Sequence, residues 1–247
     1  VAAPLRLTFL GSGDAFGSGG RLQTCLCLEG PGGRALLDCG ATALVAMKRA
    51  GIDPSTVGWV LLSHLHGDHF GGVPFLVLDG QFGRRDRPLI VAGPPGAGAR
   101  VPAAMEALFP GSSRAARRFQ TELIELTPRV ATGVGPLTVT AFPVEHASGA
   151  PSLALRVEWS GKVVAYSGDT EWCDALAEAG RDADLFVCEA YTFERRIRHH
   201  LDHATLARNL ARIRARRVIL THLGPEMLAR RTDAVAECAD DGLVAEI

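Results

Sequence analysis

Ser63-His64-Leu65-His66-Gly67-Asp68-His69 follows directly on the apolar run VGWVLL at 57–62, and this junction decides the reading of the chain. It puts three imidazoles and a carboxylate into one turn-rich segment behind a buried strand. Ions such as zinc take neutral imidazole and carboxylate ligands in compact clusters, and four ligands this close serve two adjacent ions better than one. Gly67 lets the backbone fold around them. A His-rich surface loop is the plain alternative, and the spacing speaks against it.

Outward from this junction, short apolar runs recur on both sides: LRLTFL, TCLCLE, ALLDCG, PLIVAG, ELIELT, LTVTAF, SLALRVEW, KVVAYSG, DLFVCEA and RVILTHL. Each has the length and composition of a strand. Helices are expected over 43–50, 98–109, 172–179 and 203–215. Strands with interspersed helices predict an α/β or α+β sandwich, in one domain over 1–247. Several strands end in reactive residues: Asp38, Ser63 with His64, Asp169, Glu189 and His222. Sites in layered α/β proteins gather beyond strand ends, so these residues are expected to share one cleft.

The motif HxHxDH, matched by His64, His66, Asp68 and His69, resembles that of the metallo-β-lactamase superfamily. Its other motifs occur in order: Asp38 in LLDCG, His146 in FPVEHAS, Asp169 in SGDT and His222 in LTHL. The resemblance spans the chain and implies a four-layer αββα sandwich. It implies that His64, His66 and His146 hold one ion, that Asp68, His69 and His222 hold a second, and that Asp169 bridges them. Taken singly, His146 or His222 would read as an ordinary hydrogen-bonded histidine; their joint placement reverses that. Asp38 reads either as a carboxylate orienting a ligand imidazole or as a turn former before Gly40.

The C-terminal third, ADLFVCEAYTF followed by HHLDHATLARNLARIRARRVILTHL, resembles the tRNase Z branch and the cyclic phosphoribosyl phosphodiesterases. By that resemblance His200, a fixed distance before His222, is a catalytic histidine and Glu189 is its partner. Asp68 is counted with them as catalytic as well as a ligand. Expelling an alkoxide from a phosphodiester needs a proton donor, which a Glu–His pair provides. The expected mechanism is attack by a hydroxide held between two divalent ions while His200 protonates the leaving oxygen. Zinc is the first choice of metal, with manganese and iron left open. His203, in a loose mimic of the tRNase Z HST sequence, lies too close to His222, and His199 has no assigned role. The plain alternative is that His199, His200 and His203 decorate the start of a helix.

Two departures narrow the substrate. Only a hairpin fits between His146 and Asp169, where many tRNase Z enzymes insert an arm that grips tRNA. With a net charge of -1, this disfavours structured RNA and favours a small phosphodiester or nucleotide-like substrate. The turn LGSGDAFGSGG lacks the proline usual in these families, and Cys25 and Cys27 do not reproduce the structural zinc site of the phosphonate-pathway enzymes. A lactone, ester or thioester hydrolase on the same metals, a tRNA 3′-end endonuclease and a noncatalytic metal-binding protein are the competing readings. VAGPPGAGAR is a strand-to-helix turn, since no Gly-Lys-Ser/Thr follows it.

Apolar residues are 47% and charged residues 21% of the 247, an ordinary globular balance. Arginine runs such as Arg195, Arg196, Arg198 and Arg212, Arg214, Arg216, Arg217 read as solvated faces. The six cysteines sit mostly in apolar strands and are read as reduced core residues, which suggests the cytoplasm. No run is long enough to span a membrane, and the start VAAPLRLTFLGSGD lacks the features of a signal peptide. A homodimer is left open.

Overall fold

The computed structural model describes residues 4–83 and 85–247, so the first three residues of the stretch read for a signal peptide lie outside it. The first sheet contains β1 (Arg6–Gly11), β2 (Cys25–Gly30), β3 (Gly33–Leu37), β4 (Val57–Leu61), β5 (Leu89–Gly93) and β6 (Thr121–Glu125). The second contains β7 (Thr132–Val134), β8 (Leu137–Val144), β9 (Ser152–Trp159), β10 (Lys162–Tyr166), β11 (Leu185–Glu189), β12 (Val218–Thr221) and β13 (Glu237–Cys238). A last strand, β14 (Val244–Glu246), pairs antiparallel with β1 and completes the first sheet. Among the described residues each sheet therefore has seven strands, in the orders β14-β1-β2-β3-β4-β5-β6 and β13-β12-β11-β10-β9-β8-β7.

In both sheets a run of antiparallel hairpins passes into a parallel run: β3 to β6 in the first and β10 to β13 in the second. Parallel neighbours need crossover connections, which helices supply. Helices α1 (Ala43–Arg49), α2 (Gly67–Phe70), α3 (Val73–Phe82) and α4 (Ala97–Leu108) belong to the first half of the chain. Helices α5 (Asp174–Gly180), α6 (His203–Ile213) and α7 (Pro225–Ala229) belong to the second. This is the expected αββα sandwich.

Period-two patterning builds the layers. In β2 the alternation sends Leu26 and Leu28 into the core between the sheets, with Phe9, Leu155, Val164 and Tyr166. Cys25 and Cys27 face the other way and pack against Met47, Val73 and Leu76 of the helical layer. The third core joins Phe186, Cys188 and Leu220 of the second sheet to Leu176, Leu206 and Met227. Each such side chain contributes roughly 1.5–3 kcal/mol on burial. All six cysteines are free, and Cys25, Cys27, Cys39 and Cys188 are buried, as the core reading expects. No helix among the described residues is long and apolar enough to cross a membrane.

The four expected helices are found with ends shifted by no more than two residues, and further helices are present. α6 stops at Ile213 because Arg214 takes the left-handed conformation (φ 57°), and its start is capped by Asp202, whose Oδ1 accepts from Thr205 N at 2.7 Å. Helix α3, VPFLVLDGQF, was not foreseen. Its apolar residues run almost unbroken, so they mark no helical face, although Pro74 suits a first turn.

The two sheets are joined at one end by backbone hydrogen bonds, from Leu153 N to Ser63 O (2.9 Å) and from His222 N to Ser12 O (3.0 Å). The loops that carry the predicted residues converge there.

Candidate metal centre and active site

The segment after β4 bends at Ser63 and enters α2, with Asp68 and His69 in its only full turn. The carbonyl of His66 accepts from the amides of His69 and Phe70, both at 3.0 Å, which folds the motif onto itself. Gly40 is required nearby: a Cβ there would collide with the carbonyl oxygen of Asp68. His146 follows β8, Asp169 follows β10 and His222 follows β12, so the second sheet delivers the other three residues. His222 holds a left-handed backbone (φ 57°), uncommon for a non-glycine residue and common at functional sites.

These seven side chains meet in two groups, His64 with His66 and His146, and Asp68 with His69, Asp169 and His222. Within the first, His146 Nε2 lies 3.1 Å from His66 Nδ1. Within the second, His69 Nε2 lies 3.2 Å from Asp68 Oδ2 and 3.3 Å from Asp169 Oδ1. His222 Nε2 lies 3.5 Å from Asp68 Oδ2 and 3.4 Å from Asp169 Oδ2. Asp169 also reaches the first group, 3.9 Å from His64 Nε2. Ligand atoms around a tetrahedral zinc with bonds near 2.0–2.1 Å stand about 3.3 Å apart, so the spacing suits one ion per group.

The outward-facing nitrogens of His64, His69 and His146 are fixed. Asp38, fully buried and also left-handed (φ 58°), accepts from His69 Nδ1 at 2.7 Å. It further accepts from Ser63 N and Ser63 Oγ, both 2.7 Å, and from the Tyr166 hydroxyl at 2.8 Å. Ser63 Oγ in turn meets His64 Nδ1 at 3.0 Å. His146 Nδ1 donates to the carbonyl of His199 at 2.7 Å, and His222 Nδ1 lies 3.5 Å from Glu189 Oε1. The contacts of His64, His69 and His146 keep the proton on the outer nitrogen and leave Nε2 bare toward the cluster, as metal-binding imidazoles require, whereas His222 Nδ1 approaches Glu189 without a hydrogen bond. Of the two readings of Asp38, the orienting carboxylate is the one its contacts match. Ser63 and Tyr166 had no assigned role, and His199 acts through its backbone.

Buried atoms without hydrogen-bond partners include His64 Nε2, His69 Nε2 and Asp169 Oδ1. Each such atom ordinarily costs about 1–3 kcal/mol, and here they converge. Burial pushes the His222 imidazole down, but the carboxylates of Asp169, Asp68 and Glu189 outweigh it and hold the ring up at about 10. His69 is likewise depressed by burial and raised overall by Asp169 and Asp38, whereas burial and His69 hold His64 well below its ordinary range. A buried, carboxylate-rich cluster that draws protons onto His69 and His222 has the electrostatic demand of a cation. The residues fit a pair of divalent ions.

A model of the beta-lactamase superfamily domain matches residues 34–223. The chain belongs to the beta-lactamase superfamily. Membership makes it a metal-dependent hydrolase with the fold described above. The superfamily member from Geobacillus kaustophilus named ribonuclease Z is 27% identical over 278 aligned positions, covering 89% of this chain and 88% of its own. The short form of human tRNase Z superposes with a TM-score of 0.78 at 24% identity, over 97% of this chain and 98% of that one. A diphosphatase of the PhnP family superposes with a TM-score of 0.77 at 19% identity, over 98% of each chain.

On the cleft side of this superfamily member's cluster, His200 Nδ1 is hydrogen bonded to Glu189 Oε1. Glu189 is fully buried, and its other oxygen accepts from Thr170 N at 2.8 Å and Leu201 N at 3.3 Å. Burial lowers the His200 imidazole, but the Glu189 carboxylate outweighs it and raises the ring above its ordinary value. Asp169, Glu189, His200 and His222 also lie close enough to hold an ion, yet Glu189 and His200 are engaged with each other. His203 lies elsewhere: its Nε2 accepts from Val235 N at 2.9 Å and its ring stacks on Phe193.

The cleft above the cluster, about 190 Å³, is lined by His66, Asp68, Asp169, His200 and His222, and by Asp14, Phe16 and Tyr191, which the sequence had not singled out. Asp14 accepts from Ser18 N (2.8 Å) and Ser18 Oγ (2.6 Å), holding the glycine-rich turn. That turn presents Phe16, 86% exposed, at the cleft mouth.

Proposed function

We propose that the protein is a phosphodiesterase acting on a small phosphodiester or nucleotide-like substrate, with His200 as proton donor to the leaving oxygen. The observation that carries this reading is the Glu189–His200 hydrogen bond at the edge of the His/Asp cluster. An expelled alkoxide needs a proton, whereas a thioester or lactone hydrolase has less call for a second acid beside its metals.

His64, His66 and His146 would hold one divalent ion and Asp68, His69 and His222 the other, with Asp169 shared; zinc suits the five imidazoles best. When bound, the ions supply Lewis acidity and neutralise charge on the phosphoryl oxygens. The chain supplies the rest. Glu189, anchored by two backbone amides, orients His200 through Nδ1 and strengthens the ring's hold on its proton. His200 Nε2 then carries the proton for the leaving oxygen, and Asp38 and Ser63 keep His69 and His64 in their ligand tautomers.

The relatives named ribonuclease Z favour a second reading, an RNA endonuclease. Against it, β9 and β10 are joined by Ser160 and Gly161 alone, leaving no room for a tRNA-gripping arm. The test compares a dinucleotide, whose leaving group is an alkoxide, a precursor tRNA, a thioester and a lactone, with wild type and His200→Ala side by side. The expected result is phosphodiester cleavage that falls by about 10²–10⁴ in the variant. A loss below about tenfold, or preference for the thioester or lactone, would overturn the proposal.

A further inference from the structure

His200 lines a second cavity as well. Behind it lies a pocket of about 250 Å³ whose walls include Trp172, Arg196, Arg198, Glu171 and Thr205. His200 is thus the partition between this pocket and the cleft above the cluster, lining both. Each cavity is smaller than the ~300–1,000 Å³ typical of a whole ligand site, so one substrate spanning both is the economical reading.

The pocket's chemistry is distinctive. Arg196 and Arg198 are exposed and, among the described residues, neither is held in an ion pair, whereas Arg195 beside them lies 3.9 Å from Glu226. The two carboxylates at the pocket are engaged locally: Glu171 Oε1 accepts from His199 N at 2.7 Å and Asp202 Oδ1 from Thr205 N at 2.7 Å. Two guanidinium groups therefore remain uncommitted. Their planar forks match phosphate oxygens in pairs, and Trp172, whose ring carries the Arg212 guanidinium on one face at 5.5 Å, brings an aromatic side chain to the pocket wall.

We propose that this pocket receives the leaving half of the substrate, and that this half is a nucleotide: a ring set against Trp172 and a phosphate of its own held by Arg196 and Arg198. The inference rests on the phosphodiesterase reading above and sharpens it. Hydrolysis breaks one phosphorus–oxygen bond, water adds its oxygen to phosphorus, and the leaving oxygen takes a proton from His200. That oxygen must lie at the partition, which puts the leaving group on the Trp172 side.

The test has a kinetic and a binding arm, both on the zinc-loaded protein. In the first, a plain dinucleotide is compared with dinucleotides carrying an added phosphate at either end, with bis(4-nitrophenyl) phosphate as the control for phosphodiesterase activity itself. The added phosphate on the nucleoside that leaves is expected to raise kcat/KM at least about tenfold. That ratio is expected to fall to near one in Arg196→Ala/Arg198→Ala, whose exposed side chains carry no ion pair that folding needs. A wild-type ratio near one, or an unchanged ratio in the variant, overturns the pocket while hydrolysis of the control leaves the phosphodiesterase reading standing. Failure of every phosphodiester, the control included, overturns both.

In the binding arm, tryptophan fluorescence is titrated with a nucleoside monophosphate and with the unphosphorylated nucleoside. Tighter binding of the monophosphate, weakened at least about tenfold in the double variant, supports the pocket; equal Kd values in wild type and variant refute it.

Discussion

Asp38→Asn tests how far one buried carboxylate governs the metal centre. Asp38 is fully buried and accepts four hydrogen bonds between 2.7 and 2.8 Å. In the variant the amide oxygen can still serve Ser63 N, but the amide NH2 now faces three donors. The hydroxyls of Ser63 and Tyr166 can rotate and accept. The His69 ring can accept only by moving its proton from Nδ1 to Nε2, the atom that faces Asp68 and Asp169. Restoring the ligand tautomer then leaves a buried donor opposed by a donor, a cost of about 1–3 kcal/mol. At about 1.4 kcal/mol per tenfold this is roughly a 5- to 150-fold loss of zinc affinity. Competition against a chromophoric chelator measures it directly. Tyr166→Phe removes one donor from the same carboxylate and keeps the His69 bond, so its affinity is expected to stay within about threefold. Zinc affinity of Asp38→Asn within about twofold of wild type, or an equal loss in Tyr166→Phe, would refute the tautomer argument.

Because the carboxylate of Glu189 raises His200, and a proton donor works below its pKa, kcat is expected to fall as pH rises through that value. Glu189→Gln should move this alkaline limb to lower pH; a limb that stays in place would exclude Glu189 as its cause. Burial pushes the thiols of Cys25 and Cys188 up, and those of Cys27 and Cys39 up to about 12. A disulfide reagent at pH 8 should therefore titrate at most Cys173 and Cys238 in the native protein and all six thiols after denaturation. Gly40→Ala should lower Tm and zinc content together, since its Cβ would displace the Asp68 carbonyl; unchanged zinc content would show that the motif tolerates the shift. Leu155→Ala, in the core between the sheets, should cost about 2–5 kcal/mol in denaturant unfolding.

Residues that act through local pattern were legible in the sequence. The strand runs carry period-two or continuous apolar patterns, and HxHxDH is contiguous, so neither needed the third dimension. The edge strands β7, β13 and β14 are two or three residues long and leave almost no pattern to read. α3 failed for the opposite reason, since an unbroken apolar run has no face to mark. Tyr166 stands 128 residues from Asp38, and only the packing of one sheet on the other brings its hydroxyl there. Ser63 was visible at a strand end, yet its relay between Asp38 and His64 depends on a bend that no spacing rule encodes. The arginines behind His200 read as an ordinary solvated face until the pocket they line came into view.

The division of the ligand candidates between the sheets carries a consequence of its own. His64, His66, Asp68 and His69 ride on the first sheet, and His146, Asp169 and His222 on the second, so the centre works as an alignment gauge between two slabs. A slip of a few tenths of an ångström between the slabs, far below what would expose the core, changes every ligand separation that crosses the seam. Substitutions deep in the intersheet core should thus be felt first as weakened metal retention and only later as lost structure.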